Sequence, residues 1–375
     1  MSTAADIPVP LWLDCDPGHD DAFAILLAAH HPSLNLLGIT TIHGNASLEN
    51  TTINATRVLE AIGRPDVPVY PGTKKPFCRP AVHAPNIHGD SGIDGTELLP
   101  IASRPPITNK NPILAMRDAL MAQPEGTPWV IATGTLTNVA LLFATFPEVT
   151  THIKGLSIMG GGVGNGFTDA PMSKLAGHQN RIGNVTPLAE FNIYCDPESS
   201  QSILSNPILA SKTTLITLDL THQVLASRSV QTRILHGGDD PSTPPTVLRQ
   251  MLYELLLFFA STYETEFGLT TGPPLHDPLA VAVILSTLNP EFASKHPEQT
   301  LKFDDRNGER FAVTVVTDGL HGADIALVGP LGRSVVASHT TGVAIPRGVD
   351  LEAFWGVILD CIKRADELNA VRATA

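Results

Sequence analysis

Through its first two thirds the chain alternates short apolar runs with helix-length segments. "LWLDC" (11–15) leads into "DDAFAILLAAHH" (20–31), and "LNLLGITTI" (34–42) leads into "NTTINATRVLEAIG" (50–63). "VPVY" (67–70) is followed by a long polar stretch and then by "NPILAMRDALMAQ" (111–123). "WVIAT" (129–133) precedes "TNVALLFATFP" (137–147), and "GLSIMGG" (155–161), "DPESSQSILSN" (196–206) and "TTLITL" (213–218) continue the pattern. Strands that are near-continuous apolar runs, separated by helices, predict a mostly parallel central sheet covered by helices on both faces. No low-complexity linker or internal repeat divides the chain, so the expectation is one large α/β domain over residues 1–375. "LEAFWGVILDCIKRADEL" (351–368) reads as an amphipathic terminal helix that packs on it. Ligands of such sheets bind at the carboxyl ends of the strands, so polar residues just past strand ends are the candidates to collect.

Composition narrows the setting. With 375 residues, 43% of them hydrophobic, there is ample material for a large core. A net charge of −13 argues against nucleic acid or an anionic membrane surface as a partner. No apolar stretch approaches a membrane span, and "MSTAADIPVP" has neither the basic stretch nor the apolar core of a secretory signal. Cys15, Cys78, Cys195 and Cys361 lie far apart and form no metal-spaced pair, which reads as free thiols in a reducing, cytoplasmic setting. Residues 163–187 and 236–246, rich in Gly, Pro and polar residues, read as extended loops.

The chemistry concentrates where the first strand meets the first helix. "LDCDPGHDDAFAILLA" (11–26) places Asp14, Asp16, Asp20 and Asp21 within eight residues. Strand alternation puts Asp14 and Asp16 on one side, and Pro17-Gly18 turns the chain so that Asp20 and Asp21 enter the first helical turn. Helix capping accounts for one or two such acids, hardly four. Each raises the pKa of its neighbours unless a positive charge sits among them, and all-oxygen ligands suit a hard cation, Ca²⁺ or Mg²⁺. An EF-hand would need Gly at 19 and Glu at 25, where His19 and Ile25 stand. A phosphatase with Asp14 as nucleophile and Asp16 as acid is a closer rival, although Pro17-Gly18 supplies no hydroxyl.

Other candidates are individually weak. In "LHDPLA" (275–280) Asp277 also suits a helix N-cap. In "AEFNIYCDPE" (189–198), Glu190 and Asn192 are expected on one face of a short extended segment. "NIHGDSGIDG" (86–95) carries His88 and Asp90 but lacks the Gly-Lys-Ser/Thr of a phosphate loop, and "MGGGVGNG" (159–166) has Asn165 where a dinucleotide fingerprint needs glycine. "TIHGN" (41–45) and "IATGTLTN" (131–138) follow predicted strands.

Together these blocks form a specific pattern. "DCDPGHDDAFAILLA", "GITTIHGN", "IHGDSG", "TGTLTN", "IMGGG", "AEFNIYCDPE", "LDLTHQ" (218–223) and "LHDPLAVA" (275–282) occur in the order of one family. From about residue 11 to "FWGVILDCI", the chain resembles the inosine–uridine-preferring nucleoside hydrolases. That resemblance implies calcium-dependent hydrolysis of the N-glycosidic bond of free ribonucleosides. It implies a Ca²⁺ ion on Asp16, Asp21, Asp277 and the Thr133 backbone carbonyl, with Asp16 also activating the metal-bound water. It places the ribose hydroxyls on Asp20, helped by Asn45, Asn184, Glu190 and Asn192, and the nucleobase near His88. His276 matches the acid that assists the leaving base, with Tyr263 as an alternative donor, and Asp14 is left as a supporting carboxylate. The family is commonly oligomeric, so a homodimer or homotetramer is expected. The stretches 163–187 and 236–246 are longer than in shorter members, and both are expected near the pocket mouth, where they would bear on base preference. A non-catalytic nucleoside- or ribose-binding protein on the same scaffold and a Mg²⁺ phosphatase are the competing readings.

Overall fold

A computed structural model describes residues 7–322 and 328–374. The part of the N-terminal segment read above for a secretory signal that comprises residues 1–6 lies outside the described residues. Eleven strands are present among those described: β1 (Val9–Cys15), β2 (Leu34–Thr41), β3 (Val69–Pro71), β4 (Trp129–Ala132), β5 (Gly155–Met159), β6 (Thr213–Ile216), β7 (Phe303–Asp304), β8 (Arg310–Val315), β9 (Ser334–His339), β10 (Val343–Ala344) and β11 (Gly348–Val349). Nine form one sheet in the order β3-β2-β1-β4-β5-β6-β10-β8-β9, and β7 and β11 form a separate antiparallel pair. From β3 to β10 every pairing is parallel, whereas β8 runs antiparallel to both β10 and β9. The antiparallel edge comes from the last third of the chain, where no apolar alternation was read.

Strand alternation divides the core between the two sheet faces. Leu11, Leu13 and Cys15 of β1 join one buried cluster with Phe23, Leu26, Leu255, Leu279 and Phe354. Trp12, one residue out of phase, joins the opposite cluster with Met116, Leu120, Val139 and Leu142. A strand buried on both sides has no polar face, which is why its sequence is nearly continuous in apolar residues. The helix Asp21–His30 is buried from Asp21 through Ala29, so it too is apolar almost all round.

Two local expectations are corrected. Residues 191–195 are helical, and Glu190 is the N-cap of Phe191–Cys195, accepting from the Asn192 and Ile193 backbone N–H groups. A carboxylate that satisfies the orphan amides of a helix start overrides the extended reading. The 21-residue helix Val247–Phe267 was not anticipated, although Leu248, Leu252, Leu255, Phe259 and Tyr263 fall on one buried face at helical spacing. No helix among the described residues is long and apolar enough to cross a membrane.

The terminal helix Leu351–Thr374 closes one face through Phe354, Val357, Ile358, Cys361 and Ile362. Phe354 is fully buried and packs edge-on against Trp355 at 5.2 Å. We expect Phe354→Ala to cost about 3–5 kcal/mol of unfolding free energy, because truncating a buried Phe removes burial and leaves a cavity. Val371→Ala, at a position 64% exposed, should stay within about 0.5 kcal/mol. Urea titration followed by fluorescence measures both; equal midpoints would show that the helix contributes nothing at Phe354.

Candidate active site

The carboxyl ends of β1, β2, β4 and β5 converge because these strands are neighbours in register: Asp14 pairs with Thr40 and Ala132, and Cys15 with Thr41. Asp14 is the last acid still in the strand. Its Oδ1 accepts from the Thr40 hydroxyl at 2.5 Å and from Asn138 Nδ2 at 2.8 Å, while its Oδ2 is buried without a partner. It lies on the Trp12 side of the sheet and does not border the cavity described below. Burial pushes its carboxyl up to about 7 against the pull of those two donors.

Asp16, one residue past the strand, is held from two loops. Its Oδ2 accepts the Asn45 backbone N–H at 2.7 Å, and Asn45 Nδ2 reaches the Asp16 carbonyl at 3.1 Å and Asp21 Oδ2 at 3.3 Å. A Cβ on Gly44 would lie 1.9 Å from Asp16 Oδ2, and one on Gly134 would lie 2.6 Å from Asp16 Oδ1. The glycines of "TIHGN" and "TGTLTN" are therefore clearance for this carboxylate, a function their sequence context did not reveal. Asp16 Oδ1 is buried and has no hydrogen-bond partner.

The other acids complete the cluster. Asp21 opens the helix Asp21–His30 and accepts from the Gly18 backbone N–H at 2.9 Å and the Thr133 hydroxyl at 2.9 Å. Asp277 opens the helix Asp277–Ala282, with His276 rather than Asp277 at the cap position. Asp20 Oδ2 accepts the His276 backbone N–H at 3.3 Å, which ties the first helix to the one at 277. Oxygens of Asp20, Asp21 and Asp277 all lie within 4.8 Å of one another, and all three residues are buried. The tightest triad thus contains Asp20, whereas Asp16 stands beside Asp21. Burial raises all four carboxyls, with Asp20 at about 7; the charge of Asp21 adds to the rise at Asp16, and those of Asp20 and Asp21 add to it at Asp277. Such a group is stable in ionised form only with a cation among its oxygens. The all-oxygen donor set, the unpartnered Asp16 Oδ1 and the nearby Thr133 carbonyl fit a hard divalent ion.

Above the cluster opens a cavity of about 230 Å³. Asp20, Asn45, Thr133, Asn184, Glu190, Asn192 and Asp277 line its polar floor and sides; Asp16 and Asp21 do not line it but are hydrogen-bonded to residues that do. Glu190 Oε2 accepts from Gly161 N at 2.9 Å and Ile193 N at 3.0 Å, and Oε1 accepts from Asn192 N at 2.8 Å. Even so, burial leaves its carboxyl above the usual range. Asn192 Nδ2 donates to the Thr133 carbonyl at 2.8 Å, and Asn184 Oδ1 accepts from Phe191 N at 2.9 Å. His88, Phe259, Tyr263, Phe267 and His276 also line the cavity. His276 is bonded at both nitrogens, Nδ1 to the Thr221 hydroxyl and Nε2 to the Tyr263 hydroxyl, each at 2.7 Å. Burial, and then His222 beside it, hold His276 far below the usual imidazole range, so it is neutral near pH 7.

Of the two extended loops, only the first reaches the cavity. His178, Arg181, Asn184 and Val185 border it, while residues 236–246 contribute nothing to its lining. That second stretch connects the helices Arg228–His236 and Val247–Phe267 instead. Arg181 is the only Arg or Lys in the lining, and its Nε and Nη2 are bound to the Gly183 and Asn184 carbonyls, each at 2.7 Å. Thr221 and His222 lie in "LDLTHQ" and Asn138 closes "IATGTLTN", but their sequence context assigned these three no role, and Arg181 lay in no motif; the fold brings all four to this region.

Comparisons with known proteins agree with this geometry. The family model described as inosine-uridine preferring nucleoside hydrolase matches residues 11–356. The uridine nucleosidase of Saccharomyces cerevisiae is 34% identical over 366 residues, covering 97% of this chain and 98% of that protein. The pyrimidine-specific ribonucleoside hydrolase RihB of Escherichia coli is 30% identical over 351 residues, 94% of this chain and 96% of the relative. Among solved structures, the purine-preferring ribonucleoside hydrolase from Gardnerella vaginalis superimposes with a TM-score of 0.73 at 24% identity, covering 96% and 99% of the two chains, which supports the fold. With a family match spanning almost its whole length and full-length relatives above 30% identity, the chain belongs to the inosine–uridine-preferring nucleoside hydrolase family, hydrolases of N-glycosidic bonds.

Proposed function

We propose that this protein is a calcium-dependent hydrolase of free ribonucleosides, of the uridine or inosine type, that serves nucleoside salvage in the cytoplasm as a homo-oligomer. The observation that carries the reading is the unpartnered Asp16 Oδ1 within a buried carboxylate cluster, directly below a cavity edged by amides and a carboxylate. Asp16, Asp21, Asp277 and the Thr133 carbonyl would hold Ca²⁺, with Asp20 close enough to share the cation's field. When bound, the ion lowers the pKa of a coordinated water and offsets the cluster's charge.

The chain's own groups supply the rest. Cleavage of an N-glycosidic bond passes through a sugar with oxocarbenium character. The Asp16 carboxylate accepts the proton of the attacking water, and the surrounding carboxylates stabilise the developing positive charge on the ribose. Asp20, Asn45, Asn184, Glu190 and Asn192 grip the ribose hydroxyls, an arrangement of acceptors and amides suited to a neutral sugar. Arg181 is the single Arg or Lys among the described lining residues, and no cluster of basic groups awaits a phosphate, which favours nucleosides over nucleotides. The departing base needs a proton, and the hydrogen-bonded pair Tyr263–His276 lines the cavity. His276, neutral at rest and enclosed between two hydroxyls, delivers a proton only after taking one up as imidazolium; it passes that proton to the base directly or through Tyr263 and returns to neutral imidazole.

The reading is tested by assaying a panel of nucleosides for free ribose, with and without a chelator. Metal analysis should find about one Ca²⁺ per chain, lost together with activity on chelation and restored by Ca²⁺; full activity in the metal-free protein would refute it. Asp16→Asn keeps the size of the side chain but removes the base, and kcat should fall by at least 10²–10⁴-fold. Turnover near that of the unmodified enzyme would exclude Asp16 as the base. His276→Ala should cripple hydrolysis of inosine, whose base leaves poorly unless protonated, and largely spare 4-nitrophenyl riboside, whose nitrophenolate leaves unaided. Equal losses on the two substrates at saturating Ca²⁺ would instead assign His276 to holding Asp277 in place.

A further inference from the structure

His19 sits inside the acidic segment yet touches none of the clustered carboxylates. It is fully buried, with its ring parallel to Phe258 (2°, 5.1 Å between centroids) and to Phe259 (4°, 5.3 Å). Its Nε2 lies 2.7 Å from the Asp94 backbone carbonyl, and its Nδ1 lies 3.1 Å from Nδ1 of His88. A Cβ at Gly18 would stand 2.6 Å from His88 Nδ1, so the glycine before His19 leaves room for this approach.

These contacts determine where the hydrogens are. A carbonyl oxygen only accepts, so His19 Nε2 carries its proton. A neutral imidazole has a single N–H, which makes His19 Nδ1 an acceptor. The only hydrogen that can lie between the two rings therefore belongs to His88 Nδ1. Both rings are buried and no carboxylate of the described residues is hydrogen-bonded to either, so nothing holds a second proton on them. His88 Nε2 is then a bare lone pair. It has no protein partner among the described residues, and His88 borders the cavity.

We propose that His19, anchored on the Asp94 carbonyl, is a positioning residue that locks His88 in the Nδ1–H tautomer, so that the site selects nucleobases presenting an N–H donor to His88 Nε2. This rests on the functional reading above, which puts the base beside His88. The ligand class is the lactam bases, such as uracil through N3–H or hypoxanthine through N1–H. Bases whose lactam nitrogen is methylated are discriminated against. His88 in this state accepts a hydrogen bond and is no proton source for the leaving group. An imidazole that does not itself line the cavity thus sets which base is held, and it does so through His88.

Two measurements test the proposal. In protein labelled with ¹⁵N-histidine, long-range ¹H–¹⁵N correlations should show His88 with a protonated Nδ1 and a bare Nε2, its signals identified by their loss in His88→Gln. A protonated Nε2 on His88 overturns the proposal, whether or not any variant folds. For selectivity, kcat/KM is compared for uridine, 3-methyluridine and 4-nitrophenyl riboside in the unmodified enzyme and in His19→Phe, which preserves the stacking and removes the relay. The preference for uridine over 3-methyluridine should shrink by about tenfold or more in His19→Phe, the worth of one good hydrogen bond, since the bulk of the methyl weighs equally on both enzymes. Uridine should also lose at least several-fold more than 4-nitrophenyl riboside. Parallel losses on all three substrates overturn the proposal in favour of a merely structural His19. An unmodified enzyme that cleaves no riboside removes the functional reading, and base selection with it, whatever the spectrum reports.

Discussion

Carboxylates that repel one another in a water-poor interior are the constraint around which this structure is arranged. Asp16, Asp20, Asp21 and Asp277 are each buried, and each is driven towards its protonated form by that burial. Bringing such groups together is unfavourable unless hydrogen-bond donors and a cation offset it. The donors are visible: the amides of Gly18, Asn45 and His276, and the hydroxyl of Thr133. Each comes from a different loop at the carboxyl end of the sheet. The cluster consequently acts as a clasp that needs all these loops in place.

The layers beneath follow from that requirement. Asp14 is not part of the clasp but of its footing, where Thr40 and Asn138 tie β1 to β2 and to the helix Thr137–Thr145. Gly44 and Gly134 are small because the Asp16 carboxylate occupies the space their side chains would take. The helix Asp21–His30 is apolar on all sides because it is wedged between the sheet, the helix at 277 and the terminal helix. A rigid interior of this kind holds polar groups in position without reorganisation, which is what electrostatic catalysis requires.

Above the clasp the cavity lining combines two sets of residues of different chemistry. One is built of amides and the Glu190 carboxylate, locked by backbone N–H groups at a helix start. The other is aromatic and imidazole-rich, carried mainly by the helix Val247–Phe267 and the short turn bearing His88. That division matches a ligand with a hydroxyl-rich half and a flat, heteroaromatic half. The histidines of the second set, His88 and His276, are held below the usual imidazole range by burial, so their hydrogen-bond polarity is set by what the far nitrogen of each ring contacts.

Much of the fold and of the acidic cluster was legible in the chain itself. Buried parallel strands leave continuous apolar runs, and short-range chemistry leaves short motifs, so β1 to β6, the acidic segment and "LHDPLA" could be read directly. Local propensity could not place Glu190, because its role as a helix cap depends on amides that only become orphans once the helix forms. The antiparallel edge strands and the helix Val247–Phe267 escaped notice, the latter despite a readable period. Residues 236–246, expected at the pocket mouth, contribute nothing to its lining, because position along the chain does not say which loops meet at the cavity. Sequence by itself determined the fold class, the family and the carboxylates that cluster at the carboxyl end of the sheet. Tertiary structure alone decided which hydroxyl, carbonyl and imidazole face one another, as at Thr221–His276–Tyr263 and Asp94–His19–His88, because a hydrogen bond depends on ångström-scale approach between segments far apart in the chain.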